Sequence, residues 1–215
     1  MSTSIPGPDG RLRCHWCAGA QEFFPYHDDD WGFPVKDDRT LFEKLSLEGF
    51  QSGLSWRTIL TKRENFRAAF KGFDFDLVAR FTADDIQNML GDSGIVRHRG
   101  KIEAVIQNAR CAREMVDREG SLAAFFWRYE PTALQSTQPQ IVSTSAESVQ
   151  LSKDLKKLGW KFVGPTTMYA FMQAAGIVND HAQDCVIRAE ADKARRAFKT
   201  PGNAPRSAVP LKTAR

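Results

Sequence analysis

The chain has 215 residues, 42% of them hydrophobic, and a formal charge of +4 at pH 7. These values are ordinary for a globular protein with one good-sized core or two small lobes. No apolar run approaches the roughly eighteen residues that a membrane span needs, and the opening MSTSIPGPDGRLR lacks the apolar stretch of a secretory signal. Composition therefore excludes a membrane-spanning chain, and we expect a cytoplasmic protein with no membrane partner.

The positive charge is concentrated near the C-terminus. From Val186 to Arg215 there are eight Lys or Arg and two Asp or Glu, which leaves 22 and 24 for residues 1–185. Because this end is also rich in Pro, Ser and Ala, we expect a disordered tail, either simply solvated or weakly attracted to phosphates. The predicted organisation is a flexible N-terminus at 1–11, one domain at 12–187 and a basic tail at 188–215.

Helical periodicity dominates the chain between these ends. The apolar faces contain, in chain order, Leu41 and Leu45; Ile59, Phe66 and Phe70; Ile102, Val105, Ile106 and Ala109; and Leu151, Leu155 and Leu158. Thr82 with Asp85 predicts the start of a further helix, while Gly159 and Gly176 predict helix ends. Convincing alternating strands are absent, so the sequence predicts an all-α protein of about eight to ten helices.

Two cysteines and two histidines are spaced like metal ligands. Twelve residues separate Cys14 from His27, as between the ligand pairs of many small zinc sites. His181 and Cys185 are four positions apart, so on a helix they would share a face. The four together predict a closed tetrahedral shell, which leaves no position for the water of a catalytic zinc. Such a site would join the two ends of the domain across a very long loop.

Spacing alone does not settle whether a metal is bound. Scattered residues without a metal are an equally good interpretation of the pattern. Cys17 and the acidic run at 28–30 are rival ligands, although carboxylates compete poorly with thiolates for a borderline-soft ion. Cys111 lies near an apolar helical face and is predicted to be a core residue.

An acidic residue is predicted to point inward from the segment LEGFQSGLSW at 47–56. Glu48 shares a helical face with Leu41 and Leu45, and an unpaired carboxylate inside a protein usually has a partner or a chemical task. Aromatic residues that could surround it are Trp16, Phe23, Tyr26, Trp31 and Trp56. They could stack on a flat heterocycle, although an aromatic core with one exposed glutamate explains the same pattern.

The segment GDSGIVRHRGKIEAVIQNA at 91–109 predicts two helices that flank a short turn between Gly94 and Gly100. Glycine allows close approach of the backbone, and the free amides that begin a helix point toward an anion. Basic side chains are added by Arg97, His98, Arg99 and Lys101. This is how a helix-hairpin-helix holds a DNA phosphate, but a basic turn on a solvated surface is an equally good interpretation.

Taken together, these stretches resemble the type I 3-methyladenine DNA glycosylases, and the resemblance covers roughly residues 12–187. The similar segments are YHDDDWG at 26–32, LFEKLSLEGFQSGLSW at 41–56, KRENFRAAF at 62–70, GIVRHRGKI at 94–102 and KFVGPTTMYAFMQAAGIVNDH at 161–181. They occur in the family's order and are flanked by Cys14 and Cys185. Two positions depart from the family, since Phe23 stands where tyrosine is frequent and Asp30 where glutamate is usual.

The resemblance implies a helix-hairpin-helix DNA glycosylase fold with three kinds of site. One structural Zn²⁺ would be held by Cys14, His27, His181 and Cys185. A flipped base would be recognised by the catalytic residue Glu48, as base-recognition acid and electrostatic stabiliser, and by a pocket of Trp16, Phe23, Tyr26 and Trp56. DNA would be held by Gly94, Val96, Arg97, His98, Arg99, Gly100 and Lys101.

The activity implied is hydrolysis of the N-glycosidic bond of 3-methyladenine in alkylated double-stranded DNA. The free base would leave and an abasic site would remain, as the first step of base-excision repair. We expect a bacterial-type monomer that meets the nucleoid through DNA. Because an alkylated base is cationic while attached to the sugar and leaves easily as a neutral molecule, a monofunctional enzyme is predicted rather than one that uses Lys101 as a nucleophile with Asp117. The remaining alternatives are a glycosylase of broader specificity and a noncatalytic zinc-clipped DNA-binding module.

Overall fold

The computed structural model describes residues 4–131 and 142–201, which are mostly α-helical. The strands are β1 (Ser4–Pro6) and β2 (Leu12–Cys14), and the α-helices are α1 (Phe23–Asp29), α2 (Asp38–Gln51), α3 (Trp56–Leu60), α4 (Arg63–Ala69), α5 (Phe75–Val78), α6 (Ala83–Gly91), α7 (Arg99–Glu119), α8 (Leu122–Phe126), α9 (Ala146–Lys157), α10 (Pro165–Ala174) and α11 (Arg188–Ala197). Short 3-10 helices occupy His15–Gly19, Lys71–Phe73 and Trp127–Tyr129. The predicted all-α class is confirmed.

Helix α2 lies at the centre of the fold. Every residue from Leu41 to Phe50 is buried, because α2 contacts α7, α8 and α10 on different sides. The helix begins where the Asp37 carboxylate accepts a hydrogen bond from the Thr40 amide at 2.7 Å, which satisfies one of the free donors of the first turn. A helix buried on all sides normally carries only apolar residues. The polar residues that α2 buries therefore need partners or functions.

The predicted helix starts and stops are present. Thr82 and Asp85 form a reciprocal capping box at the start of α6. Gly159 and Gly176 follow α9 and α10 with φ of +87° and +68°, a conformation that favours glycine. A Cβ on Gly176 would lie 2.3 Å from the carbonyl carbon of Phe33, so a side chain has no room there.

The apolar face predicted from Ile59, Phe66 and Phe70 belongs to more than one helix. Ile59 lies in α3, Phe66 in α4, and Phe70 caps the C-terminus of α4. All three side chains are nonetheless fully buried. Apolar spacing therefore identified the core residues but did not reveal the break between α3 and α4.

Described secondary structure extends beyond the predicted domain boundaries at 12 and 187 at both ends. Within the stretch predicted to be flexible, β1 pairs antiparallel with β2, with Ser4 opposite Cys14. Beyond residue 187, α11 is held by Arg195, which donates to the Gly176 carbonyl at 3.0 Å and to Glu130 at 2.7 Å. Periodicity missed α11 because it buries only Ala191. Residues 202–215 of the predicted tail lie outside the described residues.

The core has a main and a smaller part. The main cluster joins α2, α4, α7, α8, α9 and α10, and it includes the predicted core residue Cys111. The smaller cluster contains Cys14, Cys17, Tyr26, Trp31 and Cys185, and it brings β2 and α1 against the segment after α10. Among the described residues, no helix combines the length and the apolar character that a membrane crossing requires.

Candidate active site and metal centre

A cavity of about 660 Å³ opens to the surface beside α2. It is lined by the five residues that the sequence predicted for a base pocket, which are Trp16, Phe23, Tyr26, Glu48 and Trp56. They come from the 3-10 helix at His15–Gly19 and from α1, α2 and α3. Since no single element carries more than two of these residues, the packing of the elements brings the side chains together.

Glu48 is the acidic residue of this cavity, and its side chain is only 6% exposed. Burial raises the pKa of its carboxyl group to about 8, an effect that the ammonium of Lys44 partly opposes. No hydrogen bond from a described residue contributes to this shift. The carboxyl group is therefore free to accept hydrogen bonds from a ligand, and a cationic ligand would favour its ionised form.

The raised pKa of Glu48 predicts a pH-dependent difference in stability between the protein and its Glu48→Gln variant. The pKa of Glu48 is about 8 in the folded protein and has its ordinary value of 4.5 in the unfolded chain. Between these two pH values the folded protein therefore binds one proton that the unfolded chain has lost. The contribution to stability is therefore fully present below pH 4.5 and is lost as the pH rises through about 8. Glutamine does not titrate, so this loss is absent from the variant. From pH 5 to pH 9 the free energy of unfolding of the variant should therefore rise on the order of a few kcal/mol relative to that of the wild type.

Urea unfolding of both proteins across this pH range measures the effect. Titration of other groups, including the Cys and His residues, is common to both proteins and cancels in the difference. A stability difference that stays constant from pH 5 to pH 9 would contradict the raised pKa.

Aromatic rings form the walls of the cavity. The Trp16 ring meets Phe23 edge-on with centroids 5.7 Å apart, and the Tyr26 and Trp56 rings are 5.1 Å apart. Burial, followed by the nearby charge of Glu48, raises the pKa of Tyr26 well above its ordinary value, so its hydroxyl stays protonated. Phe23 supplies a ring without the hydroxyl that tyrosine would add. These faces can stack on a planar ring, and their negative π-faces favour a positively charged one.

A buried network of charges supports the cavity from α1, α2 and α4. Asp30 accepts hydrogen bonds from Lys44 and from Arg63, whose second partner is Glu43 at 2.6 Å. The Lys44 ammonium also lies 5.8 Å from the centre of the Tyr26 ring. Asp30, the aspartate that departs from the family's usual glutamate, thus joins the helix of Tyr26 to the helix of Glu48.

The sequence did not point to several residues that line the cavity, among them Gln51, Arg57 and Gln173. Gln51 could have been found, because it lies three positions after Glu48 on the same helix. Gln173 could not, since it comes from α10 and has no local signal. Its amide donates to Asp180 at 2.6 Å, which fixes the orientation of the side chain.

Near this cavity, Cys14, His27, His181 and Cys185 form a buried cluster whose ligand atoms all lie within 4.8 Å of one another. Distances from sulfur to nitrogen are 3.5 Å for Cys185 to His27, 3.6 Å for Cys14 to His181 and 3.7 Å for Cys185 to His181. The two imidazole nitrogens are 3.1 Å apart. Tetrahedral zinc with bonds of about 2.3 Å to sulfur and about 2.0 Å to nitrogen requires S–N edges of about 3.5 Å and an N–N edge of about 3.3 Å. The cluster therefore fits one such ion.

The hydrogen bonds around the cluster orient both imidazoles toward its centre. His27 Nδ1 lies 2.7 Å from Asp28 Oδ1, and His181 Nε2 lies 3.1 Å from the Trp31 carbonyl oxygen. If each of these nitrogens carries the proton, His27 Nε2 and His181 Nδ1 present lone pairs to a metal. Asp28 also accepts from the Arg13 guanidinium at 2.8 Å, so the partner of His27 is itself held in place.

The rival ligands do not join this cluster. Asp28 lies outside it as the partner of His27, while Asp30 pairs with Lys44 and Arg63. Cys17 is buried in the same small cluster of core residues as Cys14 and Cys185, but its sulfur is not one of the four grouped ligand atoms.

The space that the His181 ring occupies depends on Gly32. A Cβ on this glycine would lie 2.7 Å from His181 Nε2, and its φ of +85° is unfavourable for other residues.

Residues 92–98, here named the hairpin, connect α6 to α7 and overlap the turn between Gly94 and Gly100 for which the sequence predicts a helix-hairpin-helix. His98 caps α7 by accepting a hydrogen bond from the Lys101 amide at 3.2 Å. The Lys62 ammonium donates to the Ser93 carbonyl at 2.7 Å, which holds the turn against the start of α4. Arg97 and Arg99 are exposed beside Gly94 and Gly100, whereas Val96 packs against the core.

Lys101 differs from the other basic residues of the hairpin. Its side chain is buried, and its ammonium donates to the carbonyls of Phe50 at 2.8 Å and Ser52 at 2.5 Å. The amine is therefore directed toward the end of α2 and away from the surface that a phosphate would meet.

Comparison with known proteins gives one consistent result. A family profile described as "Methyladenine glycosylase" matches residues 16–189. DNA-3-methyladenine glycosylase 1 of Escherichia coli (strain K12) is 45% identical over 177 residues, which are 80% of this chain and 95% of the relative. The DNA-3-methyladenine glycosylase of Haemophilus influenzae is 44% identical over 80% of this chain and 96% of its own length.

Solved structures give the same result. A 3-methyladenine DNA glycosylase I has a TM-score of 0.76 with 45% identity, covering 81% of this chain and 98% of that one. Another, solved in complex with 3-methyladenine, has a TM-score of 0.77 with 36% identity, covering 81% and 96%.

Proposed function

This chain belongs to the methyladenine glycosylase family, and on that premise we propose that it hydrolyses the N-glycosidic bond of 3-methyladenine in alkylated DNA. The reaction releases the free base and leaves an abasic site for base-excision repair. The observation that carries the proposal is the buried carboxyl group of Glu48 at an aromatic cavity. A DNA-binding module without catalysis has no use for this arrangement.

The chemistry of the substrate agrees with this cavity. Methylation at N3 gives adenine a positive charge, so the base is already a good leaving group and the enzyme has to lower only part of the barrier. The flipped base would stack on Trp16, Tyr26 and Trp56, whose faces attract a cation. We infer that the Glu48 carboxylate accepts hydrogen bonds from the amino edge of the base and stabilises its charge. An aromatic pocket with one acid thus selects the alkylated base over neutral adenine.

We further propose that Cys14, His27, His181 and Cys185 hold one structural Zn²⁺. The support is that four of the six separations among the ligand atoms agree with the edges of a tetrahedron, and that outer hydrogen bonds orient both imidazoles. When bound, the ion supplies a cross-link between β2, α1 and the segment before α11. With four protein ligands it has no open position, so it takes no part in activating water.

For the hairpin at 92–98 we propose that backbone amides and the exposed Arg97 and Arg99 hold a DNA phosphate, as in a helix-hairpin-helix. Replacing Arg97 with glutamine should weaken binding to duplex DNA at every sequence. The slope of log affinity against log salt should fall by about 1, because one phosphate contact is lost. Affinity for free 3-methyladenine should stay the same. Titrations of a DNA duplex at several salt concentrations measure both effects.

The matched control for Arg97 is Arg113→Gln on α7, since Arg113 is a half-exposed arginine that pairs with Asp76. It should leave the salt slope unchanged. An equal loss of slope in both variants would mean that Arg97 contributes only to the overall charge.

The decisive experiment for the proposed function is release of 3-methyladenine from dimethyl-sulfate-treated duplex DNA, by the wild-type protein and by a Glu48 variant. Release by the wild type that falls in the variant supports the glycosylase. Additional release of other methylated bases would support the broader specificity. Zinc and DNA binding without any base release would favour the noncatalytic module. We also propose that the protein acts as a monomer and meets the nucleoid through DNA, which sedimentation and cell imaging can test.

A further inference from the structure

Lys101 occupies a junction between the hairpin and the cavity. It is the third residue of α7, directly after the hairpin at 92–98. Its ammonium bonds the carbonyls of Phe50 and Ser52, and Ser52 is the residue that caps the C-terminus of α2. The carbonyls of a last helical turn lack partners within the helix and carry partial negative charge. Lys101 therefore neutralises the end of α2 from another element.

Ending a helix with a buried ammonium costs free energy of folding, because the charge loses its contact with water. The Lys101 side chain is 7% exposed, and burial is the cause that lowers the pKa of its ammonium. No carboxylate of the described residues contributes to that pKa, so the charge is balanced by carbonyl dipoles. A buried cation without an ionic partner contributes less to stability than an apolar side chain would. Such a residue is better explained by what it holds in place.

What Lys101 holds is the helix that carries the acid of the cavity. Glu48 and Gln51 both line the cavity, and both lie in the last turn of α2 next to the capped carbonyls. At the same time, the Lys101 backbone amide donates to His98 Nδ1 at 3.2 Å, which fixes the end of the hairpin. One residue thus contacts the hairpin with its backbone and the end of α2 with its side chain.

We propose that Lys101 is a positioning residue, which fixes the last turn of α2 to the hairpin and so sets where Glu48 meets the base. The inference rests on the proposed function. It replaces the prediction that Lys101 contacts a DNA phosphate, because its amine is already engaged by two carbonyls. DNA held at the hairpin would then sit in a fixed relation to the base-recognition acid.

The test is Lys101→Met, which keeps the length of the side chain and removes the charge and the donors. We expect the rate of base release at saturating DNA to fall at least tenfold. Affinity for free 3-methyladenine should fall by a similar factor, while the salt slope of DNA binding stays unchanged.

The opposite pattern would overturn the inference. If Lys101 contacts a phosphate, Lys101→Met should lower the salt slope by about 1 and leave the saturating rate and the free-base affinity as they are. In the Glu48→Gln background, Lys101→Met should cause little further loss of free-base affinity, because the two residues act through one contact. Additive losses would also count against the inference.

The matched control is Arg110→Met, which removes a cation on the same helix that donates to the Ala79 carbonyl at 3.2 Å. Ala79 caps α5, a helix without cavity residues, so base release should not change. If Lys101→Met fails to fold, the same three measurements on Lys101→Gln, which keeps a hydrogen-bond donor, decide the question. Wild-type protein that releases no base overturns the proposed function. An active wild type with an equally active, folded Lys101 variant overturns the inference alone.

Discussion

Replacing Glu48 with glutamine is expected to slow the release of 3-methyladenine from methylated DNA by about 100-fold. Glutamine has nearly the same shape and keeps one acceptor oxygen, but it cannot provide the negative charge opposite a cationic base. A buried charge-assisted contact of this kind is worth about 3 kcal/mol, which corresponds to roughly two powers of ten in rate. Single-turnover rates at saturating enzyme measure the effect on the bond-breaking step without interference from product release.

Binding of the free base separates recognition from activation of water. If Glu48 recognises the base, Glu48→Gln should weaken the affinity for free 3-methyladenine and leave any weak affinity for neutral adenine nearly unchanged. Titration calorimetry with both bases measures this preference. Unchanged affinity for 3-methyladenine, together with a slower reaction, would assign Glu48 to the water and exclude the recognition role.

The control for Glu48 is Glu114→Gln, which removes one carboxylate from an exposed position on α7. Its rate and its base affinity should match those of the wild type. An equal loss in both variants would mean that the effect comes from total charge and has no relation to the cavity.

Loss of one cluster ligand is expected to have the largest effect on stability. Cys14→Ala should lower the free energy of unfolding by about 4 kcal/mol or more, because the four ligands hold together segments that are far apart in sequence. Cys14 lies on β2, whereas His181 and Cys185 come just before α11. The same loss should follow removal of the metal by a chelator, and it should reverse when Zn²⁺ is restored. Urea unfolding with a parallel zinc assay measures both.

The cluster should affect the reaction only through the fold. At temperatures where the metal-free protein is still folded, the saturating rate of base release should stay close to that of the wild type, because a closed shell cannot activate water. Cys17→Ala is the matched control, since Cys17 is a buried cysteine of the same small cluster of core residues but is not one of the four ligands. It should retain one zinc per protein. Verified metal-free protein with full stability would refute the structural role of the ion.

Local sequence patterns predicted several of the helices and some of their ends. Periodic apolar residues, the Thr82–Asp85 pair and the glycines after α9 and α10 act through contacts within a few residues. These patterns can therefore be recognised without knowledge of the fold. The same holds for the inward direction of Glu48, which follows from its helical spacing to Leu41 and Leu45.

The resemblance of whole segments to a family supplied the residues of the distant sites. Cys14 and His27 in one half of the chain and His181 and Cys185 in the other were paired as ligands by residue type and order. Their convergence to within 4.8 Å is a property of the tertiary structure. Asp28 and the Trp31 carbonyl orient the two imidazoles, and the spacing of residues in the sequence does not predict these contacts.

Only the tertiary structure decided the contacts between elements that are remote in sequence. From the sequence, Lys101 is predicted to be one more basic residue of a DNA-binding turn, but in the structure its amine lies against the end of α2. Asp30 reads as a small departure from a family pattern, yet it joins α1 to α2 and α4. In each case the environment is made by other helices, and burial and partner geometry depend on how those helices pack. The sequence by itself thus determined several of the elements and the chemistry available, while packing decided which side chains can meet a ligand and which hold the site in place.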